Sequence, residues 1–118
     1  MLYILKKMKI RDIVKTLGLK VISGEKLLEK EVTGGYAGDL LSDALANSKK
    51  GNIWVTLQIH QNIIAVASSK ELSGIIIVNG RKPEKETLMR AKEEKIPVMI
   101  SNLLTYEVTG RLYEIGIR

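Results

Sequence analysis

From residue 53 onward the chain alternates apolar runs of strand length with amphipathic runs of helix length, and this alternation constrains the fold more than any other feature. Ile53 to Ile59 reads as a strand, and Asn62 to Lys70 as a helix packed through Ile63, Ile64 and Ala67. Gly74 to Asn79 reads as a buried strand, Pro83 to Lys95 as a helix, Ile96 to Ile100 as a strand, and Asn102 to Ile115 as a closing helix. Strands separated by helices of this length run parallel, with the helices as crossovers. Pro83 suits a first helical turn, where its missing N–H costs nothing. Glu86 and Arg90 stand four apart and form a stabilising pair on one helix face.

The first half is less regular. Ile10, Ile13, Val14 and Leu17 recur at helical spacing and Gly18 follows, which predicts a helix over 9–17. Leu19 to Ile22 reads as a short strand, and Leu27 to Tyr36 as strand running into a loop at the Gly34-Gly35 pair. Gly38 opens a second helix, with Leu40, Leu41, Ala44 and Leu45 on one face and Asp39 in the first turn, where a carboxylate suits the dipole. The whole is one α/β domain with a mixed, mostly parallel sheet of four to five strands flanked by helices. Residues 1–8 read as an N-terminal extension and 9–118 as the domain.

Composition removes most chemistries. The 118 residues contain no cysteine, which excludes disulfides, thiolate metal sites and cysteine nucleophiles, and the single histidine excludes a multi-histidine zinc site. No metal, cofactor or catalytic residue is expected: the sequence names no Ser/His/Asp spacing around its one histidine, and no acid–base pair stands out among its 13 acidic residues. No apolar run approaches membrane-spanning length, and the opening residues lack the pattern of a signal peptide, so a cytoplasmic protein is expected. Net charge is +6, and residues 1–24 carry six basic residues against Asp12 alone. The basicity is thus an end effect, and with 4% aromatic residues it argues against nucleic acid as a partner.

In parallel α/β sheets ligands bind off the carboxyl ends of the strands. That rule places His60 and Gln61, then Asn79, Gly80 and Arg81, then Ser101 and Asn102, on one sheet edge as candidate ligand contacts. The same residues also suit ordinary turns and caps. A second candidate is Thr33-Gly34-Gly35, where closely spaced glycines before a helix allow backbone N–H groups to face an anion, or else a tight strand-to-helix connection. No phosphate-binding Walker loop and no G-x-G-x-x-G run occurs.

Val32-Thr33-Gly34-Gly35-Tyr36, then Gly38-Asp39-Leu40-Leu41-Ser42-Asp43, Trp54-Val55-Thr56, Ile75 to Gly80, and Gly110-Arg111-Leu112-Tyr113-Glu114 together resemble the DRTGG domain family over residues 9 to 117. The family's Thr-Gly-Gly core is present; its Asp-Arg pair is not, Lys30-Glu31 lying just upstream. Members occur alone, beside CBS domains, or in long-form phosphate acetyltransferases, and are similar to the N-terminal domain of HPr kinase/phosphorylase. The resemblance implies a mixed α/β fold and a regulatory role rather than catalysis. The expected function is a stand-alone, non-catalytic module that senses a nucleotide or a phosphorylated metabolite. The alternative is an adaptor for a separately encoded kinase or acetyltransferase. Leu104, Val108, Leu112 and Ile115 form one apolar stripe on the last helix, and Leu103, Tyr106 and Tyr113 a second, which predicts a homodimer.

Overall fold

The structure, a computed structural model, describes residues 7–118. Its elements in chain order are β1 (Met8–Lys9), α1 (Ile10–Leu17), β2 (Lys20–Ser23), β3 (Glu31–Val32), β4 (Gly34–Ala37), α2 (Leu41–Asn47), β5 (Asn52–Thr56), α3 (Asn62–Ser69), β6 (Gly74–Ile77), α4 (Lys85–Glu94), β7 (Val98–Ile100) and α5 (Thr105–Glu114). Five strands form one sheet in the order β2-β7-β6-β5-β4. β4, β5, β6 and β7 run parallel, and β2 is antiparallel to β7. β1 and β3 make a separate antiparallel ribbon in which Met8 pairs with Val32, so ordered structure reaches one residue into the stretch read as an extension. Residues 1–6 of that extension lie outside the described residues.

The period-2 alternation of the strands produces two cores, one on each face of the sheet. Ile53, Val55, Ile76 and Met99 point to one face and pack against Ile10 and Ile13 of α1 and Val108 and Leu112 of α5. Trp54, Ile75, Ile77 and Val98 point to the other, against Ala44 of α2, Ile63 and Ile64 of α3 and Ala91 of α4. β5 and β6 are buried along their whole length, as strands covered by helices on both faces must be.

Several element boundaries differ from the sequence reading, for local reasons. Gly34 and Gly35 are not a loop: both lie in strand β4, paired with Asn52 and Ile53, and neither adopts positive φ. α2 starts at Leu41 rather than Gly38, because the Asp39 carboxylate is drawn away to the end of β5. Its predicted apolar face is largely lost with that shift: Ala44 is buried, whereas Leu40 and Leu45 are exposed. Pro83 precedes the Glu84 cap instead of entering the first turn. Glu86 and Arg90 form no ion pair, while Arg111 and Glu107 form the i, i+4 pair of α5 at 2.9 Å. α5 begins at Thr105, so Leu104 is its exposed cap and Leu103 takes the place against the core that spacing gave to Leu104.

Candidate functional site

Four parallel strands, β4 to β7, end at the same edge, and the chain that leaves them is woven into one polar surface. Asp39, on the connection from β4 to α2, organises it. Its Oδ1 accepts from the Thr56 hydroxyl at 2.9 Å and from the Leu57 N–H at 2.7 Å, and its backbone carbonyl accepts from the Gln58 side-chain amide at 2.9 Å. The Gln58 N–H in turn donates to the Thr56 hydroxyl. Trp54, fully buried, donates its indole N–H to the Gly38 carbonyl at 2.8 Å and so fixes the residue before Asp39. Asp39, expected in the first turn of a helix, instead ties the β4 connection to the β5 connection. Thr56 at a strand end was the available signal, a hydroxyl too buried to remain unpartnered.

The β6 connection meets the same surface. Asn79 and Gly80 both take left-handed backbone conformations, φ 63° and 67°, and the Arg81 N–H closes the turn onto the Val78 carbonyl. This asparagine–glycine pair therefore turns the chain, as its composition predicts. The turn is pinned sideways to the connection that leaves β7: the Asn79 N–H donates to the Leu103 carbonyl and the Gly80 N–H to the Ser101 carbonyl. The Ser101 hydroxyl accepts from the Leu103 N–H at 3.1 Å and shapes the run into α5. Arg81 reaches back across the edge and donates one guanidinium N–H to the Leu57 carbonyl at 2.7 Å. That single bond positions the guanidinium and leaves its other donors to face solvent, beside exposed Lys82.

His60 lies half-exposed at the start of α3, with Nε2 4.0 Å from Glu84 Oε1. Around it the Ile59 carbonyl accepts from the Thr87 hydroxyl at 2.7 Å and from the Glu84 N–H, which joins the β5 connection to α4. Thus His60, Asn79, Gly80, Arg81 and Ser101 share the carboxyl edge.

Thr33, Gly34 and Gly35 do not join them. Thr33 is at the opposite end of β4, where its hydroxyl donates to the Lys50 carbonyl and its N–H to Gly51. There it lines a broad cleft of about 730 Å³ together with Lys30, Lys50, Glu71, Ser73 and Glu94. Desolvation lowers the Lys30 ammonium from its ordinary value in this cleft. The acidic and basic groups here largely offset one another, with Lys50 and Glu71 3.8 Å apart. Gly35 borders a smaller apolar cleft of about 180 Å³ between β4 and α5, closed by Leu112, Tyr113, Ile117 and Arg118. Among the described residues no group of three or more His, Asp or Glu side chains could hold a metal ion, and no helix is long and apolar enough to cross a membrane.

Comparison with known proteins agrees with this architecture. Residues 12–115 match the family model of the DRTGG domain. Among solved structures, the chain is similar to the CBS and DRTGG domains of the regulatory region of Clostridium perfringens pyrophosphatase, complexed with the activator diadenosine tetraphosphate. The superposition has a TM-score of 0.69 at 19% identity and covers 87% of this chain and 45% of that one, so the chain spans under half the length of its structural neighbour. No curated protein sequence matches it.

Proposed function

Because the chain belongs to the DRTGG domain family, we propose that it is a non-catalytic regulatory module of the cytoplasm that senses a nucleotide or another phosphorylated metabolite at its carboxyl edge. The observation that carries this reading is the placement of Arg81. It is held by one hydrogen bond on a rigid turn, at the edge where four parallel strands end, with the rest of its fork free to engage phosphate. Lys82 adds positive charge beside it, and the N–H groups of the first turn of α5 open on the same edge. His60, Asn79, Gly80 and Ser101 contribute the remaining polar contacts. Thr33 and Gly34, at the other edge, serve the fold. The structural neighbour, whose regulatory region is complexed with a dinucleoside tetraphosphate, supports the choice of ligand class.

The site holds a ligand without turning it over, since the one histidine has no hydroxyl or thiol nucleophile to activate within its own hydrogen bonds. A thermal-shift panel of nucleotides and phosphometabolites tests the proposal. A true ligand at roughly 100-fold its Kd adds about 2.7 kcal/mol, a rise on the order of 10 °C. Arg81→Ala should abolish that rise, and no phosphate should be released from ATP or acetyl phosphate. A panel with no shift would favour the adaptor reading instead. That reading has its own support in the exposed apolar residues of α5, where Leu104 is 61%, Tyr106 91% and Tyr113 59% accessible. The same residues support self-association, and the module acts as a homodimer.

A further inference from the structure

The two edges of the five-stranded sheet are finished differently. β2, at one edge, opens with an exposed lysine, Lys20, and has a register irregularity between Val21 and Ser23, both recognised ways of blunting a free strand. β4, at the other edge, is Gly-Gly-Tyr-Ala, with no charge, no proline and no bulge. The Gly38 N–H donates to the Val55 carbonyl, and backbone groups alternate sides along a strand. Gly34, Tyr36 and Gly38 therefore face β5, while the N–H and C=O groups of Gly35 and Ala37 face outward; both residues are exposed.

We propose that β4 pairs antiparallel with β4 of a second copy about a two-fold axis at Tyr36, joining two sheets into one. This rests on the self-association proposed in the preceding section, and it places the contact at the free edge of β4 rather than at the exposed α5 residues. Outward-facing residues two apart are self-complementary under a two-fold: Gly35 of one copy faces Ala37 of the other, and each such pair exchanges both of its hydrogen bonds. The two Tyr36 residues meet on the axis as a non-hydrogen-bonded pair. Charge fits the same arrangement. Arg118 lies at the Gly34 end of the strand, its carbonyl 3.4 Å from where a Gly34 side chain would begin, and its guanidinium is 4.6 Å over the Tyr113 ring. Asp39 and Asp43 lie at the Ala37 end, Asp43 bonded to the Tyr36 hydroxyl. None of the three joins an ion pair among the described residues, and an antiparallel partner brings Arg118 of one copy toward the acidic end of the other. A foreign strand would satisfy the backbone but not this reciprocity of charge.

The chain has no cysteine, so a single Tyr36→Cys substitution reports the axis without ambiguity: Cα atoms of a non-hydrogen-bonded pair lie roughly 4.5 Å apart, within disulfide reach. Sedimentation of the wild type at tens of micromolar should give a dimer, Ala37→Pro should give a monomer with unchanged circular dichroism, and oxidised Tyr36→Cys should run as a covalent dimer. If Ala37→Pro fails to fold, the Tyr36→Cys crosslink decides. A dimeric wild type with no crosslink, or a dimer that survives Ala37→Pro, would overturn the interface while leaving self-association standing. A monomeric wild type would overturn both.

Discussion

Ser23 places a hydroxyl in the interior with no hydrogen-bond partner among the described residues, at the irregularity that ends β2. A buried donor left unpaired costs about 1–3 kcal/mol. Ser23→Ala, which removes the hydroxyl and little volume, is expected to stabilise the fold by about 1 kcal/mol in urea denaturation; a loss of stability would mean that the hydroxyl has a partner. Tyr36 shows the opposite balance. Desolvation first, and then the hydrogen bond and charge of Asp43, push its phenol from 10.0 up to about 12. The folded chain thus binds this proton more tightly than the unfolded chain, so the contribution is complete below pH 10 and is lost as pH rises through 10 to 12. The phenolate absorbance of wild type minus Tyr36→Phe should have its midpoint near 12, and Asp43→Asn should lower it. A midpoint at the ordinary tyrosine value would contradict the contact.

At the scale of elements, β6 is the central strand and Gly74 is its tightest point. A Cβ there would lie 2.9 Å from the Ile10 methyl and 3.2 Å from the Pro97 carbonyl, with β5 and β7 bonded on either side and unable to yield. Gly74→Val is expected to cost about 3 kcal/mol by overpacking, read as a lower urea midpoint at unchanged slope; a change under about 0.5 kcal/mol would show that α1 packs less closely. Such elements were legible in the sequence because burial on two faces writes long apolar runs, as in Ile75-Ile76-Ile77, and because α1 repeats its apolar residues at helical spacing. The stretch around Gly34 was not. Glycine pairs encode permission rather than preference, and pairing with β5, a long-range contact, decided for strand. α2 was misplaced for a similar reason: Asp39 is a good residue for a first helical turn, and the Thr56 and Leu57 donors that claim it are far along the chain.

At the scale of the molecule, the parallel order of β4 to β7 places the ends of the strands together, so His60, Asn79, Gly80, Arg81 and Ser101 were identifiable as neighbours from topology alone. Topology also explains why the remaining set lies elsewhere. Thr33 and Gly34 stand where β4 begins, whereas the others stand where β5, β6 and β7 end, so they belong to the opposite edge, and no spacing in the sequence reveals which end of a strand a glycine pair occupies once the pair reads as a loop. The proposed sensing surface is the carboxyl edge. Amide chemical-shift mapping by NMR, with the nucleotide that gives the largest thermal shift titrated into the protein, tests it most directly. Saturable shifts are expected at His60, Asn79, Gly80, Arg81, Ser101 and the first turn of α5, lost in Arg81→Ala. Shifts confined to Thr33, Lys50, Gly51 and Ser73 at the other edge would contradict it.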